Sequence, residues 1–167
     1  RETKNSSLET IWKINHARNW TEFTDALRNY NGPVETFIYS DRAGNIGFHV
    51  AGNIPARNQA LRRQDASGNI LSVGWTGACD WNSHIAFDDL PNAFNPKESF
   101  CVASNQKLDG YETIGNSYPS GRVRGILYSY KKSQQKAGLP EMALLQGDQY
   151  AVLASLLRKQ LHQSINR

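Results

Sequence analysis

Apolar residues recur at helical spacing in the N-terminal part of the chain: Leu8, Ile11, Trp12 and Ile14 form one stripe, and Trp20, Phe23, Ala26 and Leu27 a second. Each stripe is preceded by a capping-box pattern, Ser6 with Glu9 and Asn19 with Glu22, which supplies acceptors for the orphan N–H groups of a first helical turn. The spacing therefore predicts two helices, ending at Asn31-Gly32-Pro33. The pattern then changes. Glu35 to Ser40 and Ile46 to Ala51 are rich in aromatic and β-branched residues and read as strands. Between them Asp41-Arg42-Ala43-Gly44-Asn45 is a hairpin loop with a glycine available for positive φ.

From Gly52 to Ser83 no period is sustained, which predicts a long loop, with Trp75 and Trp81 expected to anchor it to a core. Asp88-Asp89-Leu90-Pro91 is at most a short helical turn. Ser99 to Ala103 is apolar enough to be a central third strand. A polar loop from Gln106 to Ser120 leads to a helix from about Gly121 to Gln134, and Leu139-Pro140 introduces a turn before a last helix from Asp148 to about Gln163. In that helix Tyr150, Leu153, Ala154, Leu157 and Leu161 share one face. Strands in the middle with helices at both ends indicate the α+β class.

Composition changes this picture little. A length of 167 residues leaves room for one domain with a core, but a hydrophobic content of 39% and a mean hydropathy of -0.60 are polar for a free-standing domain. That balance suits a segment that buries surface against the rest of its protein, and equally a domain with long polar loops. The net charge of +4 raises nucleic-acid binding as a class. The densest basic groups, Arg62-Arg63 and Lys131-Lys132, lack interleaved aromatics, and solvated surface explains them better. No apolar run is long enough to span a membrane. Cys79 and Cys101 have no metal-ligand or dithiol spacing; a disulfide between them stays open, and a buried free Cys101 is the simpler reading.

The most specific stretch is Gly74-Trp75-Thr76-Gly77-Ala78-Cys79-Asp80-Trp81, followed by Asn95-Pro96 and then Ser99-Phe100-Cys101-Val102-Ala103-Ser104-Asn105-Gln106-Lys107. It resembles the GWxGxxxW element and following strand of the penicillin acylase family of N-terminal-nucleophile amidohydrolases. Other runs keep the family's order: Ala17-Arg18-Asn19-Trp20, Asp41-Arg42-Ala43-Gly44-Asn45-Ile46-Gly47, Gly52-Asn53-Ile54-Pro55, Tyr118-Pro119, Arg122, and Leu144-Leu145-Gln146-Gly147-Asp148. The resemblance implies part of the family's αββα sandwich, with antiparallel strands and flanking helices. It further implies an internal fragment of the β-chain over residues 1–167, without the α-chain and the N-terminal part that carries the nucleophile.

Amide hydrolysis needs a nucleophile, a base near neutrality and donors aimed at the oxyanion. The resemblance assigns the oxyanion donor to Asn105, whose short side chain presents two N–H groups from a nearly rigid plane and carries no charge. The family usually has a second Asn after it; here Gln106 takes that place, and Asn116 is the fallback. Arg122 matches the family arginine beside the nucleophile's α-amine. A guanidinium there lowers the amine's pKa and fixes the neighbouring amide. Arg124 is the alternative if the register is off.

Other chemistries lack their motifs. His16, His49, His84 and His162 show no HxxxH or HExxH spacing, and there is no GxSxG elbow, Walker loop or GxGxxG. Ser6 and Ser7 are not N-terminal. No organic cofactor is expected. Several members of the family bind calcium, but the matching positions are not recognisable, and Asp80, Asp88 and Asp89 could equally be solvated turn residues. The expected function is therefore that of a fragment, inactive alone, of an amidohydrolase cleaving N-acyl substrates such as a β-lactam side chain or an acyl-homoserine lactone through an acyl-enzyme. Its partners would be the rest of its precursor and a small N-acyl substrate, and its compartment the periplasm or the exterior. The alternative is a non-catalytic binding or scaffold module on the same fold.

Overall fold

In the computed structural model the described residues are 7–56, 74–77, 80, 83–104 and 117–165. The chain divides into two compact units, residues 1–101 and 102–167.

The first unit opens with α1 (Ser7–His16) and α2 (Trp20–Leu27). Asn19 caps α2: its extended backbone lets the side-chain oxygen accept from the Glu22 N–H at 2.9 Å. Glu22 reaches back to the Arg18 N–H at 2.8 Å and to the Asn19 amide at 3.0 Å, so the predicted capping box closes one residue earlier than the usual pattern.

The predicted strands form as β1 (Glu35–Ser40) and β2 (Ile46–Ala51), antiparallel, with Ser40 opposite Ile46 and Glu35 opposite Ala51. A third strand, β3 (Asn92–Phe94), pairs with the other edge of β2, giving the order β1-β2-β3. Tyr39, Gly47 and Phe94 therefore form one cross-strand row. Trp20 lies over it, stacked on Phe94 at 5.1 Å and edge-on to Tyr39 at 5.5 Å. A Cβ at Gly47 would come within 2.6 Å of the indole and 2.8 Å of the Ala93 carbonyl oxygen, so glycine is what lets the helix approach the sheet here. Phe23, Leu27, Tyr39 and Ala51 make the core, with Trp20, Phe37 and Phe87 against it.

Side-chain amides lock the hairpin. Asp41 accepts from the Asn45 N–H at 2.9 Å, the Asn45 amide at 2.8 Å and the Tyr39 hydroxyl at 2.9 Å. These donors, the Asn45 amide foremost, hold the Asp41 carboxyl below the usual carboxylate range. Asn95, with φ of 47°, ties the hairpin to the end of β3: its side-chain oxygen accepts from the Ile46 N–H at 3.0 Å and its amide donates to Asn45 at 2.9 Å. Short asparagine side chains tolerate this left-handed backbone better than most residues do.

Two expectations for the first unit need correction. Residues 99–103 are not a strand; the third position in the sheet belongs to Asn92–Phe94. The left-handed backbone at Asn95 and again at Ser99 (φ 66°), with the turn closed by Ser99 N–H on the Pro96 carbonyl, stops the ladder before it can reach Cys101. Trp75 does not anchor its loop. It is 90% exposed on a single 3-10 turn, Gly74–Thr76, whose shape is held by local backbone bonds such as Asp80 N–H to Gly77. Trp81 lies outside the described residues. The expected short turn does form, as a 3-10 turn over Phe87–Asp89.

Beneath that turn His49 is buried, its Nδ1 2.7 Å from the Val50 carbonyl and its ring stacked on Phe87 at 4.2 Å. Arg28 lies over Phe87 at 4.9 Å and forks onto Asp88 at 2.7 Å and 3.0 Å. Burial holds the His49 imidazole below its ordinary pKa.

The second unit is helical among the described residues: α3 (Ser117–Lys132), α4 (Leu139–Gln146) and α5 (Val152–Ile165). Helix α3 starts earlier than predicted because Pro119 falls in its first turn, where a missing N–H costs nothing. Leu139-Pro140 opens α4 rather than marking a bare turn, for the same reason, and Glu141 returns to accept from the Gly138 N–H at 2.8 Å. Helix α5 begins after the predicted Asp148 because that residue bonds its own backbone ahead of the helix. Of residues 118–165 only Ser120 is buried, and the stripe of Leu153, Leu157 and Leu161 stays open, as does Leu139 at 87% exposure. Among the described residues no helix is long and apolar enough to cross a membrane.

Candidate functional site

Asn105, Gln106 and the fallback Asn116 lie outside the described residues. Arg122 lies within them, on α3 one turn after Pro119. Its partner comes from the end of α4. That helix stops at Gly147, whose N–H closes on Ala143 at 3.1 Å, and the chain then turns and presents Asp148 to the guanidinium.

Arg122 Nε and Nη2 both donate to one carboxylate oxygen, Asp148 Oδ2, at 2.9 Å and 2.8 Å. The other oxygen, Oδ1, accepts from the Tyr150 N–H at 2.8 Å, a local turn that fixes the carboxylate on its own backbone. The Tyr150 ring covers the guanidinium face at 4.7 Å, and its hydroxyl lies 2.7 Å from Ser155 Oγ on α5. The edge of the guanidinium is thus held by charge and its plane by an aromatic surface. The Tyr150 N–H first, and the Arg122 guanidinium after it, hold the Asp148 carboxyl below the usual carboxylate range.

The pair borders an open cleft of about 420 Å³. Tyr118, Pro119 and Val123 line it from α3, and Leu145 and Val152 from the other helices. Arg124 is not among its lining residues, so of the two candidate arginines only Arg122 faces it. Asp148 is the more enclosed partner, its side chain 17% exposed against 41% for Arg122. Asp148 engages Arg122 through Nε and Nη2 and not through Nη1.

Sequence reasoning missed the roles of Asp148 and Tyr150. Asp148 stood at the end of the Leu144–Asp148 run as a helix entry, and Tyr150 was counted in an apolar stripe; an Asp followed two residues later by an aromatic, facing a helical Arg, was the available signal. Among the described residues no group of three or more His, Cys, Asp or Glu could hold a metal ion. Cys101 is a free thiol, pushed up in pKa by burial, and Cys79 lies outside the described residues.

The sequence profile of the family described as penicillin amidase matches residues 1–167. The chain is 26% identical over 160 residues to the acyl-homoserine lactone acylase QuiP of Pseudomonas fluorescens, the match covering 92% of this chain and 18% of that protein. It is 22% identical over 102 residues to the penicillin acylase 2 proenzyme of a Pseudomonas species, covering 61% of this chain and 12% of the other. Among solved structures, the thermostable penicillin G acylase from Alcaligenes faecalis superposes with a TM-score of 0.63 at 25% identity, over 84% of this chain and 24% of that one. The chain thus spans less than a fifth of the length of these curated relatives. The α+β class with antiparallel strands and flanking helices, part of the acylase fold, is borne out.

Proposed function

The chain belongs to the penicillin amidase family, a family of amide-cleaving acylases, and from that membership we propose that it is a β-chain segment of a longer N-terminal-nucleophile amidohydrolase. In this reading the α-amine and side chain of a nucleophile elsewhere in the precursor attack the carbonyl of an N-acyl substrate. Asn105 donates to the oxygen that becomes negative in the tetrahedral intermediate, and Arg122 keeps the amine neutral and orients the amide beside it. One such donor is worth about 3–4 kcal/mol of transition-state stabilisation. The observation that carries the reading is the family match along the whole chain; that Arg122 faces a cleft supports it.

The polar composition and the open apolar residues of α4 and α5 support a segment that buries surface against the rest of its precursor. The substrate class is an acyl group in amide linkage to an amine-bearing nucleus, of the acyl-homoserine lactone or β-lactam type. The compartment is periplasmic or extracellular, and the chemistry calls for no organic cofactor.

Two measurements test this. The isolated chain should not turn over chromogenic fatty-acyl or phenylacetyl anilides above a mock preparation. In the processed full-length enzyme Asn105→Ala should lower kcat by about a hundredfold to a thousandfold and leave KM little changed. Turnover by the isolated chain, or wild-type kcat in the variant, would overturn the reading; retained fold with no activity in any longer form would favour the scaffold alternative.

A further inference from the structure

The guanidinium of Arg122 is held by one short stretch of chain. A guanidinium on a single oxygen can still pivot about that contact, because both N–H bonds converge on Asp148 Oδ2. The Tyr150 ring against its face removes the pivot. Neither holder is loose: Asp148 is bonded through Oδ1 to the Tyr150 N–H, and Tyr150 is tied to Ser155 on α5. Restraint therefore passes from α5 through Tyr150 and Asp148 to the guanidinium.

We propose that Asp148 is the positioning residue for Arg122, setting both the direction of its remaining donors and the strength of its field, with Tyr150 as the platform that fixes its plane. This rests on the reading of Arg122 given above. Two effects follow from charge and geometry. A carboxylate bound to the guanidinium offsets part of its positive field at a nearby amine, so the amine's pKa falls less than it would beside a lone arginine. A free arginine side chain samples many rotamers, whereas one held through Nε and Nη2 is restricted in the direction it presents.

The test is a double-mutant cycle in the processed full-length enzyme, reading kcat, KM and the pH profile of kcat/KM. Asp148→Asn keeps an acceptor for the Tyr150 N–H but turns a donor or a neutral oxygen toward Arg122. It should lower kcat by about tenfold to a hundredfold, the scale of a misdirected group, and move the acid limb to lower pH, since the unbalanced guanidinium disfavours the protonated amine more strongly. Arg122→Gln should lower kcat and move that limb to higher pH. In the Arg122→Gln background Asp148→Asn should cost no further kcat. Where Asp148→Asn does not mature, Tyr150→Ala enters the same cycle with the same expectation for kcat.

If Arg122→Gln impairs the enzyme while Asp148→Asn keeps wild-type kcat and pH profile, Asp148 has no positioning role. Equal losses from Asp148→Asn, or from Tyr150→Ala in its place, in both backgrounds would likewise overturn the proposal, as the residue would then act on the fold. If Arg122→Gln itself changes nothing, the reading of Arg122 fails, and this inference with it.

Discussion

A methyl group added at residue 47 would sit 2.8 Å from the Ala93 carbonyl oxygen, a backbone atom fixed in the β2–β3 ladder, as well as under the Trp20 ring. The ring could tilt; the carbonyl could not move without breaking the pairing. Gly47→Ala should therefore destabilise the chain by about 1–3 kcal/mol, the range for overpacked cores, seen as a lower denaturant midpoint at unchanged slope. His49 gives a residue-scale pH effect. Its imidazole is buried, with Arg28 and Asp88 beyond Phe87, and burial holds its folded pKa below the ordinary value of 6.5. Below 6.5 the unfolded chain binds a proton that the native state refuses, so this contribution to stability is full above that value and is lost as pH falls through it toward the folded pKa. His49→Gln should be less stable near neutrality and show a flatter fall in urea midpoint over about pH 7 to 5. An unchanged slope would mean that other groups carry the titration.

Elements were legible in proportion to how local their causes are. Strands β1 and β2 form over the residues that composition marked, because β-branched and aromatic runs flanked by a Gly-Asn loop leave little choice of register. Strand β3 was invisible: Asn92-Ala93-Phe94 has no strand signature of its own and is recruited by the open edge of β2. Helix α4 was hidden by Pro140, which signals a turn or a helix start equally well until Glu141 is seen to cap the turn. At the cleft, Arg122 was singled out in the sequence by resemblance alone, whereas the Asp148 clamp depends on a meeting of two helices that no local pattern encodes. The Asn95 bridge tests the element scale. Asn95→Ala loses two side-chain bonds and retains a left-handed backbone, which should cost about 1–2 kcal/mol. Asn95→Gly loses the same bonds but relieves the backbone, and should cost less. Equal losses, measured by thermal or urea unfolding, would show that the backbone carries no strain.

At the scale of the whole molecule, the distribution of buried apolar side chains is one-sided. Those described all fall between Phe23 and Leu90, in the unit spanning residues 1–101, while residues 118–165 bury only Ser120. That asymmetry has a calorimetric consequence. Heat absorbed on unfolding scales with the residues whose packing is lost, at about 0.7 kcal/mol per residue near 60 °C. A chain melting throughout its length would take up about 115 kcal/mol, whereas one whose packing resides in the first unit should take up at most about 70 kcal/mol. Helical ellipticity from α3 and α5 should decline gradually outside that transition, since short helices without a buried face melt with little cooperativity. Scanning calorimetry beside circular dichroism at the same heating rate would separate the two signals, and a single sharp transition carrying the larger enthalpy would show that residues 102–167 melt as part of the same cooperative block.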